Sequence, residues 1–524
     1  MDFAHRTNTT SVDTGDLFQA PVTLGLASIV AAVISFVAFL SHTPNIDKRS
    51  PAFTPERTLF VGSLNFLTKQ WPGSRSFWQN AKARSKTGNF SFWLGSYHVV
   101  GISGEAARKV FLDHPWLDFS SGAALRPLGV HFVPPVPEIF HAGFHNGRSY
   151  FLRRLLDLQK TEHLIKYLGR LTTDARNGFE ALARGPSSVT DPSDVCWRIV
   201  FKQDCRFMCT DELADDLPLL GKLLGYAEIL QSTSALYNVP FWWLPSVSYL
   251  KRRYGRYGLR SHLKALLNRR VKNMKQGAER REDAMTMLIE NGDRMDWVLE
   301  FLISILFIAP ANSRILTGHM LNLMAMHPDW QEKIYAEVKA AAAARGKNKS
   351  AATLAEQLDS LPLDAWESSF PTIDICYREA IRMWTAFAMI RLNTSADAIP
   401  IPGTDEVIPA GSYVSYNSTE VHYNPELYPN PSKYDPERFL ETREEFKKQV
   451  YGFVGWGQGR HPCPGMRWAK LQQNIILAYA LAQFKWSSCD ANGEPMLREA
   501  HRKQLDDPHA TSFTKYYVKY VPRE

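Results

Sequence analysis

Cys463 is the residue whose neighbours best prepare it for chemistry. It stands in Trp456-Gly-Gln-Gly459-Arg460-His461-Pro-Cys463-Pro464-Gly465, between two prolines and two glycines, directly before a run from Met466 to Phe484 that reads as a helix. The sulfur therefore lies near a helix N-terminus, where free N–H groups and the positive end of the helix dipole favour a thiolate. A thiolate is an electron-donating metal ligand; an inert buried cysteine is the plainer alternative. A second set is Glu379 and Arg382, three apart on a helix predicted over 373–384, so that they share one face and can pair. A third is Ile308-Ala-Pro-Ala-Asn312, followed by Ser313, inside the long apolar run from Trp297 to Met326. Asn312 can hydrogen-bond or order water, Ser313 offers a hydroxyl, and Pro310 removes one helix hydrogen bond and predicts a kink.

The loop around Cys463 resembles the cytochrome P450 signature, Phe-x-x-Gly-x-[Arg/His]-x-Cys-x-Gly, with Trp456 in the place of the usual Phe. The resemblance implies heme b (iron protoporphyrin IX) with Cys463 as its axial thiolate and metal ligand, an electron donor that favours O–O cleavage. It further implies that Trp456 packs over the sulfur, that Gly459 and Gly465 admit backbone close to a flat macrocycle without a clashing Cβ, and that His461 faces a haem propionate. Arg391, in the extended run Ala388 to Asn393, matches a strand arginine that meets a propionate. Arg154, in Tyr150-x-x-x-Arg154, is the nearest equivalent of the family's helix arginine with the same task; a solvated charged face is its alternative. Glu379, Arg382 and Arg438, the last in Pro436-Glu-Arg438-Phe439, match an ion network with bidentate arginine geometry.

The most informative departure is in the apolar run. The family's [Ala/Gly]-Gly-x-[Asp/Glu]-Thr falls on Ile308 to Asn312, so Ala311 and Asn312 replace the acid and the alcohol that relay protons. Asn312 and Ser313 are the catalytic candidates that remain. An Asn here also occurs in family members that rearrange peroxides without outside electrons. Two alternatives to a monooxygenase therefore stand: a reductase-independent isomerase or dehydratase acting on a peroxide, and a haem-binding sensor without turnover. The resemblance is strong from 370 to 485, moderate over the apolar run and the N-terminus, and weak from 115 to 290.

Composition agrees with a large core around an apolar group: 45% of residues are hydrophobic and 12% aromatic, far from the profile of a disordered chain. The six cysteines show no paired C-x-x-C zinc spacing, and a chain of 524 residues needs no disulfide staples. The net charge of +8 comes with no basic-aromatic motif or basic tail, so nucleic acid is not a predicted partner; an acidic reductase or an anionic membrane surface suits a modest basic excess. The fold expectation is mainly α with small β-sheets (α+β), the cytochrome P450 fold behind an N-terminal transmembrane helix.

Between Asp16 and Asp47 there is no charged side chain, and Val22 to Leu40 is almost wholly apolar or small. At about 1.5 Å per residue this run reaches roughly 28 Å, close to the hydrocarbon thickness of a bilayer. The predicted organisation is a short luminal N-terminus over 1–21 bearing the sequon at Asn8, a transmembrane helix over 22–41, a proline-containing tether over 42–58, and a catalytic domain over 59–524. Lys48, Arg49 and Arg57 place that domain in the cytosol, on a single-pass anchor in the endoplasmic reticulum membrane. NADPH-cytochrome P450 reductase and a hydrophobic small-molecule substrate are the partners implied by the resemblance. Phe90–Leu94 and Tyr97–Ile102 read as a hairpin, and Glu105–Leu112 as a helix after an N-cap Ser103. Trp116 to Gly147 reads as a long loop, which the resemblance makes the roof of the substrate; Pro240-Phe-Trp-Trp-Leu-Pro245 reads either as core or, from its match to a family region that dips into the membrane, as an aromatic membrane contact.

Overall fold

The computed structural model describes residues 27–38, 46–54, 74–94, 97–119, 137–140, 148–232, 247–347, 353–384, 388–496 and 516–523. In chain order the helices are α1 (Ala27–Ala38), α2 (Ser74–Arg84), α3 (Glu105–Asp113), α4 (Tyr150–Leu158), α5 (Thr161–Ala183), α6 (Pro192–Met208), α7 (Asp211–Asp215), α8 (Leu217–Ser232), α9 (Val247–Lys275), α10 (Ala284–Glu290), α11 (Met295–Met326), α12 (Pro328–Arg345), α13 (Leu354–Leu358), α14 (Leu363–Ser368), α15 (Pro371–Trp384), α16 (Thr419–His422) and α17 (Met466–Gln483). The strands are β1 (Phe90–Leu94), β2 (Tyr97–Gly101), β3 (Leu117–Asp118), β4 (Val189–Thr190), β5 (Ala388–Asn393), β6 (Ile399–Pro400), β7 (Val407–Ile408), β8 (Tyr413–Asn417), β9 (Phe484–Cys489) and β10 (Tyr517–Pro522).

The strands form a five-stranded sheet in the order β1-β2-β8-β5-β3, a three-stranded sheet β4-β10-β9, and the pair β6-β7. The expected hairpin is β1 against β2, with Phe90 opposite Gly101 and Leu94 opposite Tyr97. β2 then runs parallel to β8, and β5 pairs antiparallel to β8 with Arg391 opposite Val414. Arg391 is thus placed by a central strand. The helix after the hairpin starts at Glu105 as expected, but its N-cap is Gly104, at φ 90°, whose N–H donates to Glu420 at 3.0 Å. Ser103 does not cap it.

Part of the expected tether is docked rather than free. Ser91 N–H donates to Ala52 and Thr54 N–H to Ser91, both at 2.9 Å, which adds this segment to the edge of β1, and the Phe53 ring stacks on Trp93 at 5.8 Å. Val407 N–H also donates to Arg49 at 3.1 Å. The remainder of the tether, Asn8, most of the 116–147 loop and the aromatic stretch 240–245 lie outside the described residues.

α11 is the one described helix long and apolar enough to cross a membrane, but 67% of its apolar window is buried, as befits a core helix. It runs through Pro310 and ends at His327, with Pro328 opening α12. It packs on α6 through Gly318, where a Cβ would stand 2.7 Å from Ser193 Oγ. α17 packs on α6 from the other side, and a buried carboxyl joins them. Asp204 Oδ1 accepts from Trp468 Nε1 at 2.9 Å and from Gln472 Nε2 at 3.1 Å, while Trp468 stacks on Phe207 at 4.1 Å.

Burial raises the Asp204 carboxyl to about 7, against the hydrogen bonds from Trp468 and Gln472 that pull it down. Its folded pKa lies above the unfolded one, so the stability it contributes is present at pH below the ordinary carboxylate value and is lost as pH rises through about 7. Urea midpoints measured across that window should fall, by an amount equivalent to about 2–4 kcal/mol at most. Asp204→Asn, which keeps an acceptor for Trp468, should flatten the slope; an unchanged slope would mean the carboxyl is ionised throughout.

Candidate functional site

The loop that delivers Cys463 is folded back on itself by backbone bonds: Gly457 N–H donates to Val454 at 2.9 Å and Cys463 N–H to Trp456 at 2.6 Å. Two glycines make this possible. At Gly457 (φ 66°) a Cβ would stand 2.5 Å from the His461 carbonyl, and at Gly459 (φ 62°) 2.4 Å from the Leu112 carbonyl. Gly459 therefore serves the close approach of the loop to the end of α3, where Arg460 N–H donates to Leu112 at 3.0 Å. Gly457, which the sequence reading passed over, is as constrained as Gly459. Gly465 has no atom within 4 Å of where a Cβ would stand, so that side of the loop is open.

Gly465 is the N-cap of α17, and its N–H draws the Cys463 thiol down. Burial nevertheless pushes the thiol above its ordinary value, and the hydrogen bond only partly offsets it. The helix start alone does not make the thiolate; a metal cation on the sulfur would supply the missing positive charge. Among the described residues no group of three or more His, Cys, Asp or Glu side chains could hold a metal ion by itself.

The groups beside the loop fit a cofactor with carboxylates. Arg391 is 4% exposed, its guanidinium lies over Phe111 at 5.1 Å and Phe119 at 4.8 Å, and its Nε has no hydrogen-bond partner. Burial draws its pKa down to about 10 against the opposing pull of Asp118, which is the signature of a buried cation short of negative charge. His461 is held down to about 4 by burial and by the neighbouring Arg391, so its ring is neutral at pH 7 and can serve as a hydrogen-bond partner. The Trp456 Nε1 is likewise buried and unpartnered.

Arg154 has a different assignment from the one expected. Its fork holds Asp293 through Nε, at 2.7 Å, and Nη2, while Nη1 donates to Asp157 at 3.0 Å; Tyr150 Oη donates to the same Asp293 at 2.9 Å. A haem carboxylate would have to displace that ion pair, so Arg154 ties α4 to the residues before α11. Its neighbour Arg153 has a buried Nε without a partner and is the arginine of α4 left to meet a carboxylate. The two arginines are neighbours in the sequence, and the pairing with Asp293 separates them.

Glu379, Arg382 and Arg438 do come together. Arg382 grips both oxygens of Glu379 at 2.7 Å, and Arg438 Nε donates to Glu379 at 3.3 Å and Nη1 to Glu445 at 2.8 Å. Asp435 N–H also donates to Glu379, at 3.0 Å. Arg382 continues to the carbonyls of His422 and Pro431, at 2.6 and 2.8 Å, and His422 Nε2 accepts Val454 N–H at 3.0 Å. Burial, with Arg382 adding to it, holds His422 down to about 3, so it stays a neutral acceptor for the cysteine loop. Glu445 and His422 belong to the network, though no spacing in the sequence marks them.

On α11 the two catalytic candidates part company. Ile308 and Asn312, four apart, are exposed along one face of the midsection, flanked by half-buried Ala309 and Ala311. Ser313, about 100° further round the helix, is buried, and its carbonyl accepts Thr317 Oγ1 at 2.7 Å. Only Asn312 remains as a side chain of that open face able to order water.

Residues 53–508 match the sequence model of the family described as Cytochrome P450. The chain is 54% identical over 500 residues to Cytochrome P450 monooxygenase AacuE of Aspergillus aculeatus, covering 95% of this chain and 98% of the relative. It is 53% identical over 502 residues to Cytochrome P450 monooxygenase nsrP of Aspergillus novofumigatus (95% and 96%), and 48% identical over 510 residues to Cytochrome P450 monooxygenase dmxR5 of a Cryptosporiopsis species (97% and 96%). Among solved structures, retinoic acid bound cyanobacterial CYP120A1 superposes with a TM-score of 0.68 over 90% of this chain and 100% of that one, at 18% identity, a likeness of fold.

Two outcomes follow from the ion pairs. Glu379→Ala strands two buried guanidiniums and should cost about 3–5 kcal/mol, read as a lower melting temperature with loss of bound haem. Arg153→Ala should speed haem transfer to an apo-globin acceptor more than Arg154→Ala does. Equal rates would reassign the carboxylate contact.

Proposed function

Because the chain belongs to the cytochrome P450 family, a monooxygenase and so an oxidoreductase using heme b on an axial cysteine thiolate, we propose that Cys463 is that thiolate and that the substrate is a hydrophobic secondary-metabolite intermediate, oxidised with electrons from an NADPH-dependent reductase. The observation that carries the substrate reading is the open face of α11. It presents Ile308 and a single amide, Asn312, between half-buried Ala309 and Ala311, which suits an apolar molecule with few polar groups.

When bound, haem with a thiolate ligand supplies the electron-rich iron that activates dioxygen. The chain's own residues hold it and manage protons. Arg391, Arg153 and neutral His461 would receive its carboxylates, and each of the two arginines has an Nε that is otherwise buried and unsatisfied. The Gly465 N–H steadies the sulfur. Asn312 has no proton to give at neutral pH; its amide both donates and accepts, so it orders a water, or a substrate hydroxyl, that carries the proton in.

The predicted single-pass anchor in the endoplasmic reticulum, with the catalytic domain cytosolic, is supported by α1, whose side chains from Ala27 to Ala38 are exposed and almost wholly apolar. Val247, Leu250, Tyr254 and Tyr257 on α9 are exposed at helical spacing beside basic residues, and they follow directly on the aromatic stretch 240–245; this supports a second membrane contact.

In vesicles holding the full chain and a P450 reductase, lipophilic extract should raise NADPH and dioxygen consumption and yield a new product by mass spectrometry only when the reductase is present. Turnover of a hydroperoxide without reductase or NADPH would overturn this in favour of the isomerase that Ala311 and Asn312 leave open. Asn312→Ala should lower product formed per NADPH several-fold while peroxide release rises; unchanged coupling would remove Asn312 from the proton route.

A further inference from the structure

Gln159 is the C-cap of α4, is 5% exposed, and spends its whole amide on the exit of the cysteine loop and the helix behind it. Nε2 donates to Pro464 O at 2.8 Å and to Leu155 O at 3.1 Å, and Oε1 accepts from Trp468 N–H at 3.1 Å. The amide cannot be flipped, since that would set its oxygen against two carbonyls and its NH2 against an N–H. Arg467 Nη1 donates to the Gln159 carbonyl at 2.8 Å, which pins the residue from its backbone side as well.

The carbonyl of Pro464 and the N–H of Gly465 are two ends of one planar peptide group, and that N–H acts on the Cys463 sulfur, drawing its thiol down. The side chain, the peptide and the sulfur therefore form one line: Gln159 Nε2–H to O=C of Pro464, then N–H of Gly465 to Sγ. A bond donated to a peptide oxygen polarises the group and strengthens its N–H as a donor. A stronger hydrogen bond on a sulfur ligand draws electron density from it and raises the potential of the metal it holds. Gln159 also fixes the plane of that peptide, and with it the direction of the N–H.

We propose that Gln159 is a positioning residue that sets the donor strength of the Cys463 thiolate through the Pro464–Gly465 peptide, an inference that rests on Cys463 being the haem ligand. Because the same amide belongs to α4, it also links the helix that carries Arg153 to the sulfur side of the site.

The test is the iron reduction potential and the ferrous carbonyl spectrum of the haem-loaded full chain. Gln159→Met, of similar length and without the amide, should lower the potential and shift the thiolate-type carbonyl band while keeping it. Trp468→Phe is the control: it breaks the neighbouring bond to Asp204 but leaves the backbone N–H and the whole line intact, so it should lower stability without moving the potential. A Gln159→Met potential equal to wild type, or an equal shift in Trp468→Phe, would overturn the proposal. Where Gln159→Met does not load haem, Gln159→Glu decides: its carboxyl donates to Pro464 only when protonated, so its potential must step down as pH rises, a step absent from wild type, and no step overturns the proposal. If wild type itself lacks the thiolate band, it is the reading of Cys463 that has failed.

Discussion

A buried carboxylate held by two buried guanidiniums is the constraint that the catalytic side of this molecule is built around. The side chains of Glu379 and Arg382 are fully buried and that of Arg438 is 1% exposed, with Glu445 closing the charge balance at 6%. Such a group is worth little compared with a well-packed apolar core, but it is costly to break, because each partner left behind is an ion without water. Its value here is geometric. Arg382 reaches the carbonyl of His422, His422 accepts the N–H of Val454, and Val454 in turn accepts Gly457 N–H at the start of the tight turn that presents Cys463. One all-or-none charge network thus fixes the register of the cysteine loop against α15.

The opposite accounting holds next to the loop. Arg391 is buried with an unfilled donor, Arg153 has another, Trp456 a third, and the Cys463 thiol is pushed up by burial. Each is a cost of order 1–3 kcal/mol when nothing answers it. A cofactor bearing carboxylates and a metal cation would answer several of them at once.

What the sequence made legible was local chemistry with strict geometry. The cysteine decapeptide, the Glu379 and Arg382 pair three apart, the paired strands β1 and β2 and the apolar run over α11 each announce themselves by spacing, and each lies where it was expected. Tertiary pairing was not legible. Nothing in Arg153-Arg154 says which guanidinium Asp293 will claim, since Asp293 lies on another element. Ser313 and Asn312 differ only by the rotation of one residue around α11, and packing on α6 decides which face is open. Ser103 looked like a cap because its type favours caps, yet Gly104 took the position through a backbone angle that glycine alone adopts readily. Likewise a tether rich in proline read as free chain, while Phe53 found Trp93.

The account stands or falls on the sulfur. The most direct measurement is the ferrous carbonyl spectrum of the haem-loaded full chain, taken for wild type and for Cys463→Ala. A thiolate-type band in wild type that disappears in Cys463→Ala, and persists when any of the five other cysteines is replaced, is the predicted result. A thiolate band surviving in Cys463→Ala would contradict it.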